Sequence, residues 1–229
     1  MAIVDANGGL TPAEDNPWYL LATLHRASLP ASRREANNRS AWNRYYASRL
    51  TSDDREKLKE RVPQDDLKPL DDDEKLEWKR LFTERTGDRD IVMPEPTDRI
   101  EFNEVEFSRT CSFSGFIFFE CHFIKSSFNS SVDFIGCSFQ DFSNFSGSIF
   151  SVGANFKKSM FKGTSFSGAE FSRGGAFFTD TIYGGHAAFN HMKSPETVHF
   201  HKAVFNNSAD FKGTRIGGYF DFRETNVAG

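Results

Sequence analysis

Large apolar side chains in the first ninety positions recur three and four residues apart, the spacing that lines one face of a helix. Asn16 followed by Pro17 reads as a cap and first turn, and Trp18, Leu20, Leu21 and Leu24 continue on one face. A second helix is predicted from Glu35 to about Arg49, with Trp42, Tyr45 and Tyr46 on its apolar side. Thr51-Ser52-Asp53-Asp54 opens a short helix that Pro63 ends. Asp71-Asp72-Asp73-Glu74 opens a last one, lined by Trp78, Leu81 and Phe82 and closed by Gly87. Those carboxylates suggest a metal site at first sight, but at a helix start they offset the positive end of the helix dipole. His25 reads as a polar cap or surface group. The stretch from Gly87 to Ile100, with Pro94 and Pro96, is an extended joint.

Past residue 100 the period changes. Phenylalanine falls at Phe102, Phe107, Phe113, Phe118, Phe123, Phe128, Phe134, Phe139, Phe145, Phe150, Phe156 and Phe161, at intervals of five and six that combine into an 11-residue beat. After a slip near residue 166 the beat resumes at Phe178, Phe189, Phe200, Phe211 and Phe222. Two residues before the central Phe the side chain is small or β-branched, as at Val105, Cys111, Cys121, Val132, Ala154 and Ala209. Neither a 3.6-residue nor a two-residue period produces this. A small and a large residue two apart both point inward from a short extended segment, and a repeated unit of that kind winds into a solenoid.

These units resemble the pentapeptide repeat family, whose units read small, Asp/Asn, Leu/Phe, polar, Gly or polar. Ala154-Asn155-Phe156-Lys157-Lys158, Ala169-Glu170-Phe171-Ser172-Arg173 and Ala209-Asp210-Phe211-Lys212-Gly213 are examples. The resemblance implies a right-handed four-sided β-helix with four units to a coil. This chain adds a residue to alternate units, which predicts coils of about 22 residues with sides of five and six. The columns Phe134–Phe156–Phe178–Phe200–Phe222, Phe139–Phe161–Tyr183–Phe205 and Phe128–Phe150 should then stack, with Phe123, Phe145, Phe189 and Phe211 completing the interior ladder. The expected fold is mainly β: five to six coils under an α-helical capping domain. The expected organisation is a head over 1–90, a linker over 91–100, the repeat over 101–225 and a tail over 226–229.

Composition supports two packing schemes in place of one mixed core. Of 26 Phe, 25 follow residue 100, whereas all 11 Leu and all three Trp precede it. Residues 1–100 carry 20 acidic and 17 basic side chains and residues 101–229 carry 12 and 11, which gives no basic surplus for nucleic acid. The longest apolar run, Phe116 to Phe119, is far too short for a membrane span. The N-terminus lacks the basic and apolar regions of a signal peptide, so a cytoplasmic location is expected. Cys111, Cys121 and Cys137 all take the small inward position and read as buried structural thiols. His199 and His201 flank inward Phe200 and so face outward. Without Cys and with few carboxylates nearby they read as surface histidines, and no metal or cofactor is expected.

The breaks carry further expectations. Phe116 and Phe220 are bulky at the small position. Phe116 is expected to pack under the helices. Phe220, with Tyr219 and Phe222, marks an uncovered last coil, for which end-to-end homodimerisation is expected; continuation in a longer chain is the alternative. Asn190 to Thr197 lacks a Phe near 194 and contains Pro195, which predicts a bulge or expelled loop. With no nucleophile–base pair or phosphate loop, the chain reads as a non-catalytic scaffold or protein-interaction module rather than an enzyme. The head aromatics Trp18, Tyr19, Trp42 and Tyr45 are expected to be exposed, which with the head's charges makes the head the better candidate for a protein partner's site. The head segments Asn16-Pro17-Trp18-Tyr19-Leu20-Leu21 and Ala41-Trp42-Asn43-Arg44-Tyr45 resemble a head found with such repeats in uncharacterised bacterial proteins. The alternative function comes from family members that protect DNA gyrase by imitating duplex DNA. A rod with 12 acids against 11 bases carries a weak potential for that role.

Overall fold

The computed structural model describes residues 9–25 and 30–228. Four α-helices form the head: α1 (Pro17–Ala22), α2 (Ala31–Tyr46), α3 (Ser52–Leu58) and α4 (Asp72–Thr86). Asn16 caps α1 by accepting from the Trp18 and Tyr19 amides. Thr51 with Asp54 and Asp71 with Glu74 form reciprocal capping boxes at α3 and α4, which accounts for the acidic run without a metal. The second helix starts at Ala31, ahead of the predicted Glu35, and passes into a 3-10 turn over Ala47–Arg49.

From Ile100 onward the chain is a parallel β-solenoid of about six turns. Ile100 pairs with Cys121, Cys121 with Ser143, Ser143 with Thr164, Thr164 with Ala187 and Ala187 with Ala209, so successive turns run 21, 22, 21, 23 and 22 residues. Asn226–Val227, expected as tail, pairs with Val204–Phe205. Four faces repeat in each turn. In the first turn they carry Ile100–Glu101 (face one), Val105–Phe107 (face two), Cys111–Ser112 (face three) and Ile117–Phe118 (face four).

Each face contributes one interior column of rings. On face three, Phe113, Phe134, Phe156, Phe178, Phe200 and Phe222 stack at 4.8–5.2 Å. Phe102, Phe123, Phe145, Phe166, Phe189 and Phe211 do so on face one at 4.6–5.4 Å. Phe107, Phe128, Phe150 and Phe171 line face two, and Phe118, Phe139, Phe161, Tyr183 and Phe205 line face four. Rings of the facing columns one and three meet edge to face, an arrangement the aromatic quadrupole favours.

Corner chemistry explains the alternation of fives and sixes. After faces one and three, the residue two past the central Phe has positive φ. It is Gly115, Gly136, Gly147, Gly168 or Gly213 at some corners and Glu104, Lys125, Lys158, Asp180, His191, Lys202 or Glu224 at the others. A left-handed residue turns the chain tightly, and these sides need only five residues. After faces two and four no such residue stands at that position, and most of these corners take a sixth residue. The fourth turn is longest because Ala169 to Ala176 spans seven positions through Gly174 and Gly175, at φ of +76° and +73°. A Cβ on Gly175 would lie 2.2 Å from the Thr197 carbonyl oxygen, so this corner admits only glycine.

The segment Asn190 to Thr197 is not expelled. Lys193–Ser194 pairs with Glu170 on one side and Arg215–Ile216 on the other. Large and small residues have traded places: Met192 fills the small position and Ser194 the Phe position, both buried. The flexible thioether occupies space the missing ring would have filled.

Tyr183 is the one hydroxylated ring in the columns, stacked 5.2 Å from Phe161 and 4.5 Å from Phe205. Its buried hydroxyl makes no hydrogen bond of good geometry, and the neighbouring Thr181 hydroxyl donates to the Phe178 carbonyl at 2.7 Å. Tyr183→Phe should therefore raise stability by about 1 kcal/mol in urea unfolding. A loss of stability would show that the hydroxyl has a partner.

Candidate functional site

A solenoid begins with an open backbone edge on every face, and the head closes three of the four. On face two, Thr11–Pro12 adds a parallel strand to Val105–Glu106, and the Thr11 amide donates to Glu104 O at 2.9 Å. On face one, Asn16 has a second role: its Nδ2 donates to Glu101 O at 2.9 Å. On face four, α2 supplies side chains in place of a strand. Asn43 Nδ2 donates to Gly115 O at 2.9 Å, and its Oδ1 accepts from the Ile117 amide at 2.7 Å. Trp42 Nε1 donates to Ile117 O at 2.9 Å. The Asn43 carboxamide thus pairs as a peptide group of a preceding coil would, and it is fully buried. Asp66, itself held by Arg39 Nε at 3.0 Å, accepts from the same Nδ2 at 3.4 Å. On face three the sheet ends at Cys111–Ser112, and among the described residues no head strand lies beside it.

The expected exposure of the head aromatics is corrected by this seam. Trp18, Trp42 and Tyr45 are buried and Tyr19 is half-buried. Trp42 packs 5.5 Å from Phe116 and 5.6 Å from Phe118, Tyr19 meets Phe107 edge-on at 5.7 Å, and Tyr45 stacks on Trp78 at 5.1 Å. Helical spacing identified one apolar face on α1 and α2, but the rod covers what the other helices leave open. Head and rod accordingly share one continuous core, with the bulky Phe116 as its link. Asn43 was not singled out by sequence. Its only signal is a polar residue set between Trp42 and Tyr45 on a buried stripe.

At the distal end the sheets stop at Arg215–Ile216, Phe220–Asp221 and Asn226–Val227. Tyr219 is 56% exposed, Phe220 36% and Val227 60%, and Phe222 is half-buried beside Phe220 at 4.4 Å. The wall of face three next to this end carries an outward series. Lys157 Nζ lies 4.9 Å over Phe177, Phe177 stacks on His199 at 5.1 Å, and His199 Nδ1 is 3.5 Å from Asp221 Oδ2. Arg223 grips both Asp221 oxygens at 2.9 and 2.8 Å and holds that carboxyl far below the usual carboxylate range. His201 faces Glu224 at 3.8 Å on the adjoining corner. No cluster of three or more His, Cys, Asp or Glu suited to a metal ion occurs among the described residues.

Hydroxyls and a thiol at the small inward positions bond to carbonyls of the winding backbone. Ser126 and Ser148 donate to the carbonyls of Phe102 and Phe123, and Ser159 to Phe134 O at 2.5 Å. Thr214 donates to Phe189 O at 2.6 Å, Thr225 to Phe200 O at 2.9 Å and Cys137 Sγ to Phe113 O at 3.0 Å. Burial pushes the thiols of Cys111, Cys121 and Cys137 well above their ordinary pKa.

The molecule is thus a four-sided parallel β-solenoid under a helical N-terminal cap, consistent with a pentapeptide-repeat fold. No protein-family model matches the chain, and no curated protein sequence matches it. No helix among the described residues is long and apolar enough to cross a membrane.

Proposed function

We propose that this is a cytoplasmic, non-catalytic scaffold of the pentapeptide-repeat kind, which recognises protein through its rod. The observation that carries this reading is where its reactive groups are bonded. Inward hydroxyls and a thiol donate to carbonyls of the winding backbone, and the cysteines are held as thiols. Trp42 and Tyr19 pack against the rod and Trp18 and Tyr45 are buried within the head, so recognition falls to the walls and the distal end.

The surface assigned is the last coil, and the partner that fits it is a second copy of the chain. A twofold axis across this end sets Tyr219 and Phe220 against their own counterparts, and each copy offers the strand edges the other lacks. In sedimentation equilibrium the chain should behave as a dimer, and Phe220→Asp combined with Tyr219→Ser should make it monomeric with an unchanged circular dichroism spectrum. A wild-type monomer at concentrations on the order of 100 μM, far above the Kd of a stable dimer, would remove the assigned surface.

A further inference from the structure

Face three is the side of the first turn that receives no strand from the head, and its backbone bonding is incomplete. Cys111 lies opposite Val132 and Ser112 opposite Asp133 of the second turn. In this register the Cys111 and Phe113 amides donate to the carbonyls of Ser131 and Asp133, at 3.3 and 2.8 Å. Backbone groups alternate in direction along a strand, so the amide and carbonyl of Ser112 point away from the second turn. Neither has a partner among the described residues. The half-buried Ser112 side chain does not supply one: its hydroxyl donates to Ser114 Oγ at 3.1 Å and accepts from the Ser114 amide at 3.4 Å. Beside this edge lies a cavity of about 310 Å³, with Cys111, Ser112 and Phe113 on the rod side and Tyr19, Thr23 and Asn38 on the head side. The neighbouring face shows what fits such an edge. There Thr11–Pro12 runs parallel to Val105–Glu106, and two residues are enough because the rungs of face three are themselves two residues long.

We propose that the face-three edge binds an extended segment of a partner protein, laid parallel to Cys111–Ser112 as one further rung of the sheet. A carbonyl of that segment accepts from the Ser112 amide, and the amide two residues later donates to the Ser112 carbonyl. This repeats the bonding that the register gives Cys111 and Phe113 with Asp133 one turn below. Alternation then turns the first and third side chains of the segment inward, over Cys111 and Phe113, and the second outward. The segment therefore reads small, polar, apolar, the order of the rod's own rungs. Main-chain bonds give the affinity and the two inward side chains give the selection, as in other additions of a strand to a sheet edge. The edge lies at the opposite extremity from the distal surface, and nothing in it depends on the pairing of copies there.

Titration of the full chain, followed by NMR, with the end-blocked peptide Gly-Ala-Asn-Phe tests this; the sequence is that of Gly153 to Phe156 on face three. A saturable shift centred on the Ser112 amide is expected, with slower hydrogen exchange at that amide. Replacing the peptide's Phe N–H by an ester oxygen removes the donor to Ser112 without adding bulk, and should weaken binding about tenfold, the loss of one backbone hydrogen bond. The same replacement at the Asn N–H, which is turned away from Ser112, should change binding little. Ser112→Pro removes the edge donor at a place where strands tolerate proline, and should abolish the shifts at the Cys111 and Phe113 amides. Circular dichroism checks its fold, and the two ester peptides decide the matter without it. Phe220→Asp combined with Tyr219→Ser should bind the peptide unchanged, which separates this edge from the unsealed distal sheets. Absence of a saturable shift, equal binding of both esters and the parent peptide, or binding lost in the distal variant but kept in Ser112→Pro would each overturn the proposal.

Discussion

Phe156→Ala is expected to lower unfolding free energy by about 3–5 kcal/mol, the range for truncating a buried aromatic ring. Phe156 lies midway along its column, stacked on Phe134 at 4.9 Å and Phe178 at 5.1 Å, with Phe145 and Phe166 edge-on at 5.4 and 5.1 Å. The void cannot close easily. The strand that carries the ring is hydrogen-bonded on both sides, Ala154 pairing with Val132 and with Ala176. Each turn of a solenoid is stabilised mainly by the turns beside it, so a weak central turn uncouples the two ends. Phe222→Ala, at the half-buried end of the same column, should cost far less. Urea unfolding followed by circular dichroism measures both. Equal losses for the two variants would mean that the columns do not carry the rod.

The second large effect is expected at Asn43, although it touches no ring column. Asn43→Leu preserves volume but strands the Ile117 amide and the Gly115 carbonyl in a buried seam, and removes a donor from Asp66. An unpaired buried polar group costs about 1–3 kcal/mol, so the loss should fall at about 2–5 kcal/mol. Asn43→Asp should lose more at neutral pH, because it adds a second carboxylate beside buried Asp66. The signature is local. Hydrogen exchange at the Ile117 amide should accelerate before that at Phe134, whose amide donates to Asn155 O at 2.7 Å within the rod. Uniform acceleration of both amides would show that Asn43 does not specifically hold the seam.

The ring columns were legible because two coupled positions repeat along more than half the chain, and an error at one unit is corrected by its neighbours. Phe134, Phe156 and Phe178 could be placed over one another by counting alone. The corners were not legible. Lys125, Asp180 and His191 carry no glycine signal, yet each adopts the left-handed conformation that makes its side five residues long. The trade between Met192 and Ser194 reads in sequence as a bulge or expelled loop, since the pattern fixes which positions point inward but not how volume is shared between them. In the head, the cap signatures at Asn16, Thr51 and Asp71 were read correctly because capping is local. The covering of Trp42 and Tyr19 depends on a rod more than fifty residues away in sequence, and that of Tyr45 on Trp78 and Pro94, so helical periodicity holds no record of either. The roles of Asn16 and Asn43 as stand-ins for a strand lie beyond sequence for the same reason.

The cap also gives the rod a direction. Asn16, Asn43 and the Thr11–Pro12 strand seal three of the four edges at one extremity, while the sheets stop unsealed at the other. Copies joined by the proposed distal contact would meet tail to tail, about a twofold axis that closes on a pair. Such a contact would leave the face-three edge beside the cap, at Cys111–Ser112, open to a further strand.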